Sequence, residues 1–426
     1  MRYSLLIIFM TLMSFANGGE TRASTRQDST ANIQLQGIIL DQRTHSPVIF
    51  ANIHLSGTNM GTVSNSDGEF ILRIPASEKA PSVIISSIGY KNLILHQKDL
   101  IGSRLTLKLE PVSIPLTEVT IINRDPLELL VEALDKIRDN YSQQSLMLTS
   151  FYRESIRKRK KYLAVSEAVL EGYKAPYSGI FDNDRVRILK ARNSNELKRM
   201  DTIAVKLQGG PHTMFQLDFV KNPAELLERQ ILPYYSYEIN GLVQIDDRMA
   251  YVISFEQLPN IDVPLYTGRY YVGVDDLAFI SAEFWISEDR IDKASEYMVR
   301  HKPPNVQIDI KKAHYLVKYH CTDNNWGLSY VRSEISMVIR REKKYFRSNY
   351  TTTAEMVVTD VDSLDITKYK FSESAGTRDI LSDQVNSFED PDFWGDYNII
   401  HPEESIQTAV ERMGRKLKRK SEEKYQ

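Results

Sequence analysis

Apolar and polar residues alternate with a period of two between residues 34 and 122, in short runs separated by turn residues. Ala51, Ile53 and Leu55 interleave with Asn52, His54 and Ser56, the pattern of a strand with one buried face. That register puts His54 on the solvent side. Asn65-Ser66-Asp67-Gly68 separates two such runs, and Asp-Gly suits a hairpin that needs positive φ. Gly57, Gly61 and Gly68 are therefore read as backbone turns, and Phe70 as the return to the core. A helical period replaces this pattern at Asp125-Pro126-Leu127-Glu128, which supplies a capping acid, proline at the first helical position and glutamate three residues after the cap. Leu127, Leu130, Val131, Leu134 and Ile137 then recur on one helical face. From about residue 242 to 358 long strands return, over 250–255, 269–274, 278–286, 308–319 and 329–339, split by Asn240-Gly241, Asp246-Asp247, Asp275-Asp276 and Asp323-Asn324-Asn325. Consecutive hairpins of that length predict a curved antiparallel sheet. A last helix is predicted from Pro402 to about Lys418, with Ile406, Ala409, Val410, Met413 and Leu417 along one side.

The first residues change the picture by setting a compartment. Arg2, an apolar run over 5–15 and small residues at Ala16-Asn17-Gly18 form an export signal with cleavage expected after Gly18. The run is shorter than the roughly 20 residues of a membrane span. Residues 19–33 then read as a linker, 34–122 as a first domain and 123–426 as a second. Cys321 is the only cysteine, so no internal disulfide and no lipid on the mature first residue are expected. Composition is ordinary: 42% hydrophobic, 26% charged and a formal net charge of −2. No nucleic-acid partner is expected from that balance. The 23 tyrosines lean towards β structure.

Candidate chemistry adds little. A calcium loop at 57–70 would need an acid at Val63 and a bidentate glutamate near Ile74, and both are missing. The doubled aspartates sit at hairpin tips and are read as solvated turn residues rather than as an acid/base pair. His401-Pro402-Glu403-Glu404 has the nominal spacing of a zinc pair, but proline followed by two acids is an ordinary helix start. His314 and His320 lie six residues apart on one strand, about 20 Å at 3.3 Å per residue, too far to share an ion. No G-x-S-x-G turn and no phosphate loop occurs. No catalytic, cofactor-binding or metal residue is therefore predicted, and no cofactor. Phe393, Trp394 and Tyr397 are candidates for an interaction surface, as aromatic residues that suit binding hot spots, but the reading expected is a tail folded back onto the sheet with Phe393 and Trp394 as anchors. Arg412, Arg415, Lys416 and Arg419 are further candidates along a basic helix end that suits the negative end of the helix dipole and an anionic membrane surface, with a solvated face as the default. The run Arg157-Lys158-Arg159-Lys160-Lys161 is read as a solvated face.

The order of motifs in the first domain carries a resemblance. Gly37-Ile38-Ile39-Leu40-Asp41, Pro47-Val48, Ala51-Asn52-Ile53, Gly57-Thr58, Gly61-Thr62, Asp67-Gly68-Glu69-Phe70 and Ser87-Ile88-Gly89-Tyr90 resemble the carboxypeptidase regulatory-like domain of Bacteroidetes-type exported proteins. Leu109-Glu110-Pro111 with Leu116-Thr117-Glu118-Val119 resembles its closing strand. The resemblance implies a transthyretin-like antiparallel β-sandwich of about seven strands, an accessory module without catalytic residues. That module also precedes outer-membrane receptor barrels, but the charged end Lys416-Leu417-Lys418-Arg419-Lys420 is a poor final barrel strand. Residues 268–275 with 279–284 are similar to strand pairs of periplasmic lipoprotein-carrier-like domains. Phe255, Tyr270, Val272 and Phe284 then either line an acyl cavity or fill a core, and the filled core is expected. The fold expected is mainly β: a sandwich, then an α+β domain with a curved antiparallel sheet. The function expected is non-catalytic binding or a structural role in the periplasm or on the periplasmic face of the outer membrane, with an envelope protein, glycan or lipid as partner. A lipid or lipoprotein carrier is the alternative.

Overall fold

Strands β1 (Ile33–Asp41), β4 (Glu69–Ile74) and β7 (Leu105–Leu109) form one sheet in the order β4-β1-β7, and β2 (Asn52–Leu55), β3 (Gly61–Val63), β5 (Val83–Ser86) and β6 (Leu93–Leu95) form a second in the order β3-β2-β5-β6. Leu35, Ile39, Ile53, Phe70, Leu72 and Ile85 meet between them with no exposed surface, as the alternation requires. This is the expected seven-stranded sandwich, with one difference: β1 pairs with β7 in parallel. The intervening chain passes through both sheets before β7, long enough for the crossover that parallel pairing needs. The two backbones come close at Gly37, where a Cβ would lie 2.3 Å from the Leu105 carbonyl oxygen. Gly68 takes φ 78° at the predicted corner.

The computed structural model describes residues 33–78, 81–100, 104–112, 124–179, 182–195, 210–298, 306–341, 344–374 and 393–422. The export segment 1–18, the linker up to residue 32 and the closing strand expected at 116–119 lie outside these. Among the described residues, no helix is long and apolar enough to cross a membrane.

The second domain is a ten-stranded, wholly antiparallel curved sheet. Its strands are β8 (Leu146–Lys158), β9 (Lys161–Lys174), β10 (Arg185–Asn195), β11 (Tyr235–Ile245), β12 (Arg248–Gln257), β13 (Tyr266–Gly273), β14 (Phe279–Ile286), β15 (Val306–Thr322), β16 (Asn325–Arg341) and β17 (Lys344–Asp362). The order is β10-β9-β8-β17-β16-β15-β14-β13-β12-β11, so the chain returns through β17 to pair with β8. Five of these strands coincide with the runs read from periodicity. Strands β8 to β10 do not, because both faces of β8 and β9 are covered and charged side chains replace the simple alternation. The basic run 157–161 is exposed at residues 159–161 and half-buried at Arg157 and Lys158. It forms the β8–β9 hairpin, with Arg159 at φ 54°.

One face of this sheet is covered by helices. Asp125 caps helix Pro126–Asp135, its Oδ1 accepting from the N–H groups of Leu127 at 2.8 Å and Glu128 at 2.9 Å. The helix buries Leu129, Leu130 and Ala133. Leu127, expected on the buried face, is exposed, because its position in the first turn lies off the stripe that meets the sheet. Segments Gly210–Gln216 and Ala224–Leu227 lie over the same face. Phe255 stacks on Tyr270 at 4.4 Å, Phe284 on Tyr315 at 5.1 Å, and Phe219 sets its edge against Phe279 and Tyr319. Phe255, Tyr270, Val272 and Phe284 are all fully covered, a filled core.

The other face carries the sandwich. Val63 and Ile71 from the sandwich meet Phe151, Val169, Tyr330 and Val357 from the sheet. A returning segment, residues 393–401, is wedged alongside. Its Asn398 side chain pairs with the Arg73 backbone on the edge strand β4, accepting from N–H at 2.6 Å and donating to C=O at 3.2 Å. Thr62 donates to the Ile399 carbonyl at 2.9 Å and Asn65 to that of His401 at 3.1 Å. Asp67 accepts from the N–H of Glu404 at 3.1 Å, at the start of helix Glu404–Glu422. The polar corner 65–68 thus both turns a hairpin and seats the last helix.

Candidate functional site: a cleft between the domains

A cleft of about 550 Å³ opens where the outer edge of the sandwich meets one end of the large sheet. Strands β2 and β3 contribute Asn52, His54, Gly61 and Val63; the β15–β16 hairpin contributes Asn325 and Gly327; the chain before β8 contributes Gln143 and Gln144. Leu148, Leu328 and Val358 form an apolar side. The volume falls within the roughly 300–1,000 Å³ usual for ligand sites. Gly327 matters most for access: a Cβ there would meet nothing within 4 Å.

The floor is electrostatically closed. Lys174, 2% exposed, lies 2.5 Å from Asp184 and 2.7 Å from Asp218, and its ammonium sits 4.9 Å from the Tyr177 ring centroid. Tyr319 donates to the second oxygen of Asp218 at 2.7 Å. Burial pushes the Lys174 pKa down, but the two carboxylates outweigh it and the net shift is upward. Lys174 therefore stays charged and offers no unpaired cation to an anionic ligand.

One wall holds two histidines from different domains. The rings of His54 and His320 stand 4.3 Å apart, and Asp246 lies 3.7 Å from His320. Burial, then the neighbouring His320, lowers the His54 pKa to about 4 against the pull of Asp246. Burial raises the Asp246 pKa, but His320, Ser86 and His54 together bring it down to about 2. Two sequence expectations are corrected here. His54 does point away from the sandwich core, but the large sheet covers it. The hairpin-tip acids are not simply solvated: the Asp246 side chain is 16% exposed, and Asp276 accepts from Trp326 at 3.1 Å and Arg248 at 3.0 Å.

A second, 190 Å³ cavity is lined by Arg153, Arg157, Arg332, Glu334, Glu355 and Glu403 among others. Most of its charges are paired with one another, while Arg157 lies over the Tyr162 ring. Arg153, 2% exposed, pairs with Glu167 at 2.7 Å and Glu355 at 3.3 Å and donates to the Ile400 carbonyl at 2.6 Å. Arg192 holds the other oxygen of Glu167 at 2.7 Å, and Arg332 reaches Glu355 at 3.1 Å. This network pins residues 393–401 to the sheet.

The anticipated interaction surface is divided. Trp394 is 3% exposed and sets its edge on Phe151 at 5.4 Å. Phe393 lies under Lys190 and Arg192, and Tyr397 is 37% exposed. Arg412 donates to the Tyr162 carbonyl at 2.8 Å, while Arg415 is exposed beside Glu411. Lys416 and Arg419 belong to the last helix, and their side chains lie outside the described residues, as do Asp390 to Asp392. His401 stands 3.4 Å from Glu69; His314, on the same strand as His320, has a different partner, Glu283 at 3.0 Å. Among the described residues, no three His, Cys, Asp or Glu side chains are placed to hold a metal ion.

The sandwich, its motif order and its strand pairing meet in one finding. Residues 35–121 match the family model of the CarboxypepD_reg-like domain. The first domain is a CarboxypepD_reg-like domain. No curated protein matches the chain. Among solved structures, a DUF1329 family protein from Desulfovibrio piger is 12% identical at TM-score 0.27, covering 59% of this chain and 100% of that one. Lipovitellin, in a structure of its lipid–protein interactions, is 7% identical at TM-score 0.26, with 54% and 26% covered. A LolA superfamily protein from Nitrosomonas europaea is 11% identical at TM-score 0.19, with 56% and 97% covered. Likenesses this slight bear on neither mechanism nor ligand. Strands β2 and β3 of the CarboxypepD_reg-like domain border the cleft. The sequence reading singled out none of the cleft-lining residues Asn52, Gln143, Lys174 and Gly327, which look like ordinary strand or loop positions.

Proposed function

We propose that the protein is a non-catalytic binding protein of the cell envelope, in which the CarboxypepD_reg-like domain and the ten-stranded sheet together frame one ligand site. The observation that carries this reading is the 550 Å³ cleft lined from both domains. Its polar groups are amides, hydroxyls and the paired imidazoles of His54 and His320, and its charged groups are paired or exposed. Such a lining binds and orients; it holds no nucleophile with a base beside it. A lipid-carrier role is less favoured, because the helix-covered face where acyl chains would lie is packed with Phe219, Phe255, Tyr270 and Phe279. Export and an envelope location belong to the same proposal and rest on the N-terminal pattern.

Native mass spectrometry of protein isolated from its own envelope tests the reading. A co-purifying mass that is absent from the Gly327→Leu variant is the expected result. A bound mass unaffected by Gly327→Leu would place the ligand elsewhere, and a co-purifying lipid would restore the carrier alternative.

A further inference from the structure

We propose that the end of the ten-stranded sheet farthest from the cleft docks on an anionic phospholipid surface, with the β8–β9 and β16–β17 hairpins against the headgroups and the cleft held away from the bilayer. Strands β9, β8, β17 and β16 are neighbours in the sheet, so the two hairpin tips lie side by side across roughly 15 Å, at about 4.8 Å per strand. The first tip is basic throughout: Arg157 and Lys158 are half-buried, and Arg159, Lys160 and Lys161 are exposed. The Arg159 N–H donates to the Asn349 carbonyl at 2.9 Å, which ties this tip to β17 two residues from Arg347. Arg347 is exposed and lies opposite the exposed Arg340, and the second hairpin closes with Arg341 opposite Lys344 along the backbone. Asp309 holds Arg340 at 2.8 Å, whereas Arg159, Lys160 and Arg347 form no ion pair among the described residues. The last helix reaches the same end, where Arg412 donates to the carbonyl of Tyr162, next to Lys161.

The opposite end of the same strands carries acids. Asp323 at the β15–β16 turn lines the cleft, and Asp360 and Asp362 at the end of β17 are exposed on that side. Strand β17 has 19 residues, so about 60 Å of chain separates its basic start from its acidic end at 3.3 Å per residue. Exposed charges more than about 8 Å apart are largely screened from one another at physiological salt. A charged surface therefore meets the basic end as a cation, whatever the formal net charge of −2 over the whole chain. Each basic side chain near an anionic leaflet strengthens attachment about fivefold. The shape fits as well as the sign: long side chains projecting from neighbouring hairpin tips can reach one plane of phosphates together. The proposal shares the envelope location of the reading above but not its ligand site, so its failure would leave the cleft as it stands.

The test is flotation of the protein, isolated from its own envelope, with phosphatidylcholine vesicles that contain either no anionic lipid or about 40% phosphatidylglycerol, at about 50 mM and about 300 mM salt. Binding to the anionic vesicles alone, lost at the higher salt, is the expected result. Arg159→Gln, Lys160→Gln and Arg347→Gln combined should weaken it about 100-fold. Lys136→Gln, Arg229→Gln and Lys370→Gln combined remove the same charge from exposed positions away from the hairpins and should leave binding within about twofold of the parent. On vesicles, amide exchange should slow over residues 158–161 and stay unchanged over 323–328. No binding to anionic vesicles at the lower salt, or equal binding to both kinds, would overturn the proposal. Equal losses in the two triple variants would overturn the docked end in favour of general charge attraction, and slowed exchange over 323–328 in place of 158–161 would overturn the orientation. Binding of polyglutamate that depends on Arg159, Lys160 and Arg347, with no vesicle binding, would reassign the basic end to an acidic protein.

Discussion

The two faces of the ten-stranded sheet are buried by different means. The helix-covered face is closed mainly by Phe255, Tyr270, Phe219 and Phe279, rings packed on rings, around one buried charge cluster of Lys174, Asp184 and Asp218. The sandwich-covered face has a smaller apolar cluster, Val63 and Ile71 against Phe151, Val169 and Val357, and adds to it the charged groups Arg153, Glu167, Arg192 and Glu355, with His54, His320 and Asp246. Apolar packing is non-directional and tolerates many partners. Buried charges cost several kcal/mol each to desolvate and hold only in one geometry. The first face therefore supplies stability, and the second fixes where the sandwich sits and hence the shape of the cleft.

Two substitutions of similar expected size separate these roles. Phe255→Ala removes a fully covered ring and should lower unfolding free energy by about 3–5 kcal/mol, leaving the domain junction protected in the folded protein. Glu167→Ala should cost about 3–5 kcal/mol as well, because it strands two buried guanidinium groups. Its signature differs: residues 393–401, pinned through Arg153 to the Ile400 carbonyl, become sensitive to limited proteolysis under native conditions. Equal sensitivity in both variants would erase the contrast.

Acid should act on the sandwich-covered face first. His54 is neutral in the fold with its pKa lowered from 6.5 to about 4. Its contribution is thus complete above about pH 6.5 and is lost as pH falls towards 4, at most about 3 kcal/mol by linkage. The lowered pKa of Asp246, about 2, adds a loss of the same sign only below about pH 4. Denaturant titrations of parent and His54→Gln at pH 7.5 and 5 should show the parent's acid loss shrinking in the variant.

Smaller effects probe the polar details. Asp67→Ala removes the acceptor for the first N–H of the last helix and should cost about 1 kcal/mol, measured by thermal melting. Glu154 lies buried with only hydroxyl partners, Tyr152 at 2.7 Å and Ser166, and burial raises its pKa. A raised carboxyl pKa favours the fold at low pH and opposes it as pH rises through that value. Glu154→Gln should therefore stabilise by about 1 kcal/mol or less at pH 8, with no gain near pH 4.

Sequence alone resolved the parts whose pattern is local. The strand runs between 250 and 339, the Asp125 cap and the Asp67-Gly68 corner all follow from periods and turn chemistry within a few residues. Strands β8 and β9 were illegible because Arg153, Glu154 and Glu167 occupy positions that a half-exposed strand would leave in water, and here all three are buried, Arg153 beneath the returning segment 393–401. His54 shows the same limit: alternation fixed which way it points, not that β15 waits there. The cleft could not be read at all, since Asn52 and Gly327 meet only through the docking of two domains.

The claim that the junction is a built interface, held by a titratable network, is tested most directly by differential scanning calorimetry of the full-length protein at pH 7.5 and pH 5. A single unfolding transition at pH 7.5 that splits in two at pH 5, as the sandwich uncouples from the sheet, is the result the structure predicts. Two transitions already resolved at pH 7.5, or one transition unchanged at pH 5, would contradict it.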